Sequence, residues 1–505
     1  MDAEQRTGPL YLQLASHYRR AIAAGSLAPA ARMPSVRALM ALHRVSLATA
    51  LQACRHLESE GLLEARPRQG YFVRATALQR RLPPAAEPLP APPDPARYVG
   101  VQQRISALLA RALAARVQVN LAGASAQAAL YPLRALALQG QRLLRRHPEL
   151  LVEPPPPDGL SALREALARL ALDAQVALRA DEVLVTHGCT EALTIALRAV
   201  ARPGDAVAVE SPTYYGLLQI LESLGLRALE IPTSPHTGLS LDALQTAARQ
   251  EPALRAVVVM PNLQNPLGSV MPDAHKKALL AWCDQQDLAL IEDDTYGALA
   301  DDPQRAIKSW DRDGRVILCS SLHKTLAPGM RLGWMTAGRW HARARMLKYT
   351  QSRPNEALGQ AVVAAFLSGG QMDRHLRGLR RRLTVQRGQM AEALADHLPA
   401  GTRLSLPPGG MALWLALPPG LSSEWLFGAA LERGIRLAPG VMFSNATRFD
   451  GFVRINCGHP MDAAQHEAIR TLGRLCEQAL QRPTGAVRDV DLSPAWALSA
   501  PGEPA

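Results

Sequence analysis

Ser320-Ser321-Leu322-His323-Lys324-Thr325-Leu326-Ala327-Pro328-Gly329-Met330-Arg331 follows directly on a short apolar run, Val316 to Leu318. The run reads as a buried strand, and Pro328-Gly329 reads as a turn just beyond it. A strand ending there delivers Lys324 into a site, with Ser321 and Arg331 placed to hold a phosphate and the lysine amine free to attack a carbonyl. An exposed lysine in a strand-to-loop turn would look the same over twelve residues. The segments upstream separate the two readings.

Working outward, helical stretches (residues 101–116 and 160–172) alternate with β-branched runs, among them Glu182-Val183-Leu184-Val185-Thr186, Ala206-Val207-Ala208-Val209 and Ala256-Val257-Val258-Val259-Met260. Such alternation predicts an α/β domain built on a parallel sheet. No glycine fingerprint for a dinucleotide follows the first strand, which disfavours a nicotinamide fold. The chemistry lies in the loops after the strands. The first strand leads into Thr186-His187-Gly188-Cys189-Thr190-Glu191, whose small residues open a helix and offer N–H groups to an anion. The second leads into Ser211-Pro212-Thr213-Tyr214-Tyr215, an aromatic face for a flat ring, and the third into Pro261-Asn262-Leu263-Gln264-Asn265-Pro266. A fourth run, Leu288 to Ile291, leads into Glu292-Asp293-Asp294-Thr295-Tyr296, and then comes Lys324.

Anion seat, stacking tyrosine, amide, acid with phenol, and lysine with serine and arginine occur in the order of fold-type I pyridoxal-phosphate aminotransferases, which residues 120–480 resemble. The resemblance implies pyridoxal 5'-phosphate as cofactor and assigns roles. Lys324 would carry the cofactor as an aldimine and move the α-proton. Asp293 would pair with the ring nitrogen, and Asn265 and Tyr296 would hold the ring hydroxyl. Tyr214 would stack on the ring. Ser321 and Arg331, with Gly188, Cys189 and Thr190, would bind the phosphate. Arg454, in Val453-Arg454-Ile455-Asn456, would clamp the carboxylate of a substrate or effector; a surface arginine on a strand is the other reading of that residue. The segment 151–159 lacks the tyrosine that the family usually lends to the partner subunit's phosphate, and Gly123-Ala124-Ser125 lacks the usual proline. Cofactor binding is therefore a firmer expectation than turnover.

The N-terminal part is organised differently. Residues 1–82 hold twelve arginines against five acids, a large part of the net charge of +12 on 505 residues. That surplus suits a polyanion partner. Leu10, Leu14, Tyr18 and Ile22 mark one helical stripe, Ser35 caps a second helix, and Ser46 caps a third with Ala50, Ala53, Cys54 and Leu57 facing inward. Residues 64–73 then alternate around Arg66, Arg68 and Gly70 as a two-stranded wing. Pro9-Leu10-Tyr11, Met33-Pro34-Ser35-Val36-Arg37, Val45-Ser46 and Gly70-Tyr71-Phe72-Val73 make residues 8–74 resemble the GntR-type winged helix-turn-helix. The resemblance implies contacts to double-stranded DNA through Arg37, Ser46, Thr49, Arg68 and Gly70. Leu47 stands where many members carry an arginine, so guanine reading from that position is not expected.

Between the two parts, seven of the thirteen residues 83–95 are proline, predicting an extended, semi-rigid linker. The expected division is a winged helix at 1–75, linker at 76–100, aminotransferase-like domain at 101–480 with a small α+β subdomain from about 345, and a disordered tail at 481–505. Six scattered cysteines predict no metal site, and the absence of long apolar runs and of a signal peptide predicts a cytoplasmic protein away from membranes. A GntR-type head, a proline-rich linker and an aminotransferase-like domain together resemble the MocR subfamily of bacterial transcription regulators. That resemblance implies a head-to-tail homodimer sensing the cofactor or an amino acid or amine effector. A working aminotransferase with an accessory DNA-binding domain is the alternative, and a regulator with a dead cofactor site a third reading.

Overall fold

The computed structural model describes residues 9–23, 27, 31–59, 62–66, 69–73, 82–84 and 93–481. The chain divides into two compact units, Met1–Leu82 with Thr384–Asp396, and Pro83–Leu383 with His397–Ala505. Arg68, most of the linker and residues 482–505 of the tail lie outside the described residues.

In the first unit three helices, α1 (Leu10–Ala23), α2 (Val36–His43) and α3 (Leu47–Ser59), precede an antiparallel hairpin of β1 (Leu63–Arg66) and β2 (Gly70–Val73). The caps form as the sequence predicts. Ser35 Oγ accepts the Ala38 N–H at 3.1 Å, and Ser46 Oγ accepts the Thr49 N–H at 3.2 Å. Leu14, Tyr18, Ile22, Leu39, Ala50, Cys54, Leu57, Leu63 and Val73 close one small core. Leu10 departs from its expected stripe and is 62% exposed. Steps of four gain about 40° on a 3.6-residue helix, so three steps turn Leu10 well away from the face that Ile22 buries.

The second unit opens with β3 (Arg97–Tyr98), α4 (Gln102–Ala114), β4 (Val119–Asn120), α5 (Leu133–Arg146) and α6 (Ser161–Leu170). Alternating elements follow: β5 (Leu184–Thr186), α7 (Cys189–Val200), β6 (Ala206–Ser211), α8 (Tyr215–Ser223), β7 (Arg227–Ser234), β8 (Gly238–Leu239), α9 (Leu241–Ala248), β9 (Leu254–Val259), α10 (Asp273–Gln285), β10 (Ala289–Asp293), β11 (Val316–Ser321) and β12 (Gly333–Thr336). Among the described residues nine strands form one sheet in the order β3-β7-β6-β9-β10-β11-β12-β5, with β8 beside β7. The pairs from β7 to β11 are parallel, and β12 alone reverses direction between β11 and β5. The strands are buried on both faces, as parallel strands covered by helices must be. Arg97–Tyr98, at the end of the proline-rich segment, already pairs with Arg227–Ala228.

Helices α11 (His341–Gln351), α12 (Ala357–Ser368) and α13 (Met372–His397) lead to β13 (Arg403–Ser405), β14 (Ala412–Ala416), α14 (Ser423–Leu431), β15 (Ile435–Arg436), β16 (Ala438–Pro439), β17 (Phe452–Asn456) and α15 (Ala463–Leu480). Strands β13-β14-β17-β16 form a smaller sheet, while β15 pairs in parallel with β4. Consequently the carboxyl ends of β5, β6, β9, β10 and β11 and the strand carrying Arg454 converge, which is where an open α/β sheet places its ligand. No helix among the described residues is long and apolar enough to cross a membrane, and no group of three or more His, Cys, Asp or Glu there could hold a metal ion.

Candidate functional site

A cavity of about 330 Å³ opens at these strand ends. Gly188, Cys189, Thr190, Tyr214, Asn265, Asp293, Tyr296, Ser321, Lys324, Arg331 and Arg454, the residues expected from the sequence, all line it.

Lys324 follows β11 in a turn, and its Nζ donates to the Ala124 carbonyl at 2.6 Å and stands 5.5 Å from the centre of the Tyr296 ring. Burial, then the nearby Arg454 and Arg331 guanidinium groups, pull its pKa down to about 7, and Asp293 opposes them only in part. A large share of the amine is therefore neutral near pH 7, the form that can attack a carbonyl or accept a proton.

Asp293 ends β10 and is buried. Burial raises its pKa, countered by Thr295, whose O–H and N–H donate to Oδ1 at 2.6 and 3.0 Å; Cys189 Sγ adds a longer contact at 3.3 Å. All three go to Oδ1, so Oδ2 is left for a cation or N–H in the cavity. Burial likewise raises the phenols, Tyr214 to about 12 and Tyr296 further, keeping both as neutral O–H donors.

The anion seat combines a helix end with an arginine. Helix α7 begins at Cys189 behind Gly188, whose φ of 84° a side chain would strain, and a Cβ there would lie 3.1 Å from Arg331 Nη2. Gly333 lets β12 press on the same turn, because a Cβ at that position would meet the Gly188 backbone at 2.5 Å. N–H groups of the first turn and a guanidinium thus face one spot, the arrangement that binds phosphate. Ser321 Oγ accepts the His323 N–H at 3.1 Å.

Arg454 is 3% exposed. Its Nη1 donates to Asn265 Oδ1 at 2.8 Å and its Nη2 to the Ala122 carbonyl at 2.7 Å, while Nε is buried with no partner. The surface-arginine reading is thereby corrected: the strand turns this residue inward, with its guanidinium oriented by neutral groups and no carboxylate bound.

Sequence reasoning missed several lining groups. Thr295 and His323 are neighbours of recognised residues; Arg331 Nη1 and His323 Nδ1 lie 3.0 Å apart, and burial lowers the His323 pKa to about 4, keeping the ring neutral. A supporting network was also missed. Lys348 of α11 is fully buried and its Nζ donates to Glu191 Oε2 at 2.9 Å, while the same oxygen accepts the His187 N–H at 2.7 Å. The pair ties the phosphate-seat turn to α11. Nothing in local spacing announces a contact between residues 157 positions apart.

In the head, Arg37 is exposed on the first turn of α2 and Ser46 is exposed before α3. The Ser46 and Thr49 hydroxyls are 2.9 Å apart, so capping already occupies part of their hydrogen-bonding capacity. Gly70 is exposed with φ 101° at the start of β2. Leu47, 58% exposed at the first residue of α3, presents an apolar side chain there.

Comparison with known proteins agrees with this geometry. Residues 125–471 match the family "Aminotransferase class I and II", and residues 10–73 match "Bacterial regulatory proteins, gntR family". The chain is 34% identical over 473 residues to the HTH-type transcriptional regulator YjiR of Escherichia coli K12, covering 93% of this chain and 99% of that one. Among solved structures it resembles Pyrococcus horikoshii kynurenine aminotransferase in complex with PMP (TM-score 0.69, 26% identity, 75% of this chain and 95% of that one). It also resembles the α-aminoadipate aminotransferase LysN of Thermus thermophilus, complexed with N-(5'-phosphopyridoxyl)-L-leucine (TM-score 0.68, 28% identity, 74% and 95%). With a gntR-type helix-turn-helix joined to a fold-type I aminotransferase domain, and a regulator as its relative along nearly the whole length, the chain belongs to the MocR-type transcription regulators of the class I and II aminotransferase family.

Proposed function

We propose that the second unit of this regulator holds pyridoxal 5'-phosphate in the cavity and senses the cofactor, or an amino acid or amine that reaches it, through Lys324. The observation that carries the reading is the convergence of a largely neutral buried lysine, a buried carboxylate and an anion seat on one cavity. When bound, the cofactor supplies an aldehyde that condenses reversibly with amines and a ring that withdraws electrons. Arg331 and the first turn of α7 would hold the phosphate, Asp293 Oδ2 would face the ring nitrogen, and Tyr214 would cover the ring. Arg454 occupies Asn265 Oδ1, which leaves the Asn265 Nδ2 hydrogens to donate toward a ring oxygen beside Tyr296. Arg454 keeps N–H groups for the ligand's carboxylate.

The same proposal divides the chain into a head at 1–75, a linker at 76–100, and a sensing domain at 101–480 with its small subdomain from about 345. It makes the protein a cytoplasmic, head-to-tail homodimer. Exposed Leu151 and Val152, at 66% and 80%, support an intersubunit surface near the segment that lacks the family's tyrosine. Arg37, Ser46, Thr49, Arg68 and Gly70 would contact the operator. A ligand that favours one arrangement of the heads shifts DNA affinity by its differential binding.

A second reading, turnover as an aminotransferase, is favoured by the neutral Lys324 itself, since the same amine can accept a proton. The two separate by experiment. Operator affinity that changes with cofactor and amino compounds, beside turnover well below about 1 per second, supports sensing; brisk turnover with unchanged operator affinity overturns it.

A further inference from the structure

Arg436 lines the cavity but has no place in the roles above. It pairs in register with Asn120 across β15 and β4, and the residues before them, Ile435 and Val119, are buried at 4% and 8% exposure. Successive side chains of a strand point to opposite faces, so Arg436 and Asn120 turn toward the cavity together. Arg436 is half-buried and makes no ion pair or side-chain hydrogen bond among the described residues. Arg331 and Arg454, by contrast, already have polar partners. An arginine drawn partly out of water without a partner is held at a cost that an incoming anion relieves.

Charge balance sharpens the point. Lys324, Arg331, Arg436 and Arg454 line the cavity against the single carboxylate Asp293. In the reading above, a phosphate takes Arg331, the ring nitrogen takes Asp293, and the carbonyl takes the amine of Lys324. One carboxylate takes Arg454. Arg436 then awaits a second anion, beside an apolar wall that includes Leu108, Ala112 and Phe427 and suits methylene groups.

We propose that Arg436 is a second anion receptor and that the effector is an amino acid whose short aliphatic side chain ends in a second carboxylate. The proposal rests on the sensing role given to the cavity. It is tested on the full-length, cofactor-loaded protein by calorimetric titration with aspartate and asparagine and with glutamate and glutamine. Wild type, Arg436→Ala and the volume-preserving Arg436→Met are compared, with thermal melts as a check on folding. In wild type at least one acid binds about 10- to 100-fold more tightly than its amide, the range of a charge-assisted contact. In both variants that preference falls to about threefold or less through weaker binding of the acid. Equal binding of acid and amide in wild type, or a preference that survives in folded variants, overturns the role of Arg436 and leaves the sensing role standing. Failure of all four amino acids to bind overturns both.

Discussion

Arg454 Nη1 donates to Asn265 Oδ1 at 2.8 Å, joining a strand of the small sheet to the loop after β9. The bond couples two sites usually considered apart, the ring-oxygen site and the carboxylate site. Asn265→Ala therefore removes a donor to the cofactor and also releases the guanidinium that faces the ligand. Cofactor affinity and amino acid affinity should both fall by about tenfold, the worth of one good hydrogen bond to a charged group. Absorbance titrations with pyridoxal phosphate, followed by an amino acid, measure the two losses. A loss confined to the cofactor step shows that Asn265 does not orient Arg454.

Lys324 gives a pH signature with a definite sign. Its pKa is about 7 in the fold against 10.5 for an ordinary lysine. Between those values the unfolded chain binds the extra proton, so the lysine's contribution to stability rises with pH across the window; below pH 7 the cost of burying the charge is present in full, and above about 10.5 it vanishes. In cofactor-free protein Lys324→Met should raise the melting temperature most at pH 6, with the gain shrinking toward pH 10. The rate at which wild type captures pyridoxal phosphate should rise through pH 7, because only the neutral amine attacks. A rate that climbs only near pH 10 contradicts the burial argument.

The Lys348–Glu191 pair predicts a cost in stability that extends to the cofactor. Burial raises the Glu191 carboxyl, but donors from Ser352, the His187 N–H and Lys348 more than offset this and hold it below its usual range. Glu191→Ala strands a lysine of 0% exposure and frees the His187 N–H. Removing one partner of a buried pair costs about 3–5 kcal/mol, so urea unfolding of the second unit should shift by roughly that amount. Weaker phosphate binding should accompany it. Pyridoxal, which lacks the phosphate, should lose less affinity than pyridoxal phosphate.

For the head, Arg37 is exposed on α2 and placed for phosphate rather than for bases. Arg37→Ala should weaken binding to operator and to unrelated DNA by similar factors and lower the slope of log K against log salt by about one. Leu47→Arg should raise that slope by about one, because the exposed first residue of α3 gains a cation. A salt series of fluorescence anisotropy titrations reads both, and a loss at Arg37→Ala limited to the operator assigns that residue to base reading instead.

Much of this was legible in the chain because each site residue of the sheet sits at the end of a β-branched run, where strand polarity alone directs it to one edge. Lys324, Asp293, Asn265 and Tyr214 are all of that kind. The caps at Ser35 and Ser46 were legible too, since their bonds span only three residues. Arg436 and Asn120 were not: each belongs to a two-residue strand, and only their long-range pairing brings them to the cavity. Lys348 was hidden for a similar reason, sitting in a strongly polar helix while its partner lies on α7. Leu10 misled because a step of four keeps a residue on one face for only a turn or two.

The central claim is that the amine of Lys324 carries the signal to DNA. Its most direct measurement is operator affinity, by gel shift, for wild type and Lys324→Ala, each with and without pyridoxal phosphate and an amino acid. The account predicts a change of at least about fivefold in wild type, the lower end of coupling between two sites, and none in the folded variant. Equal responses from the two proteins, or no response from either, would contradict it.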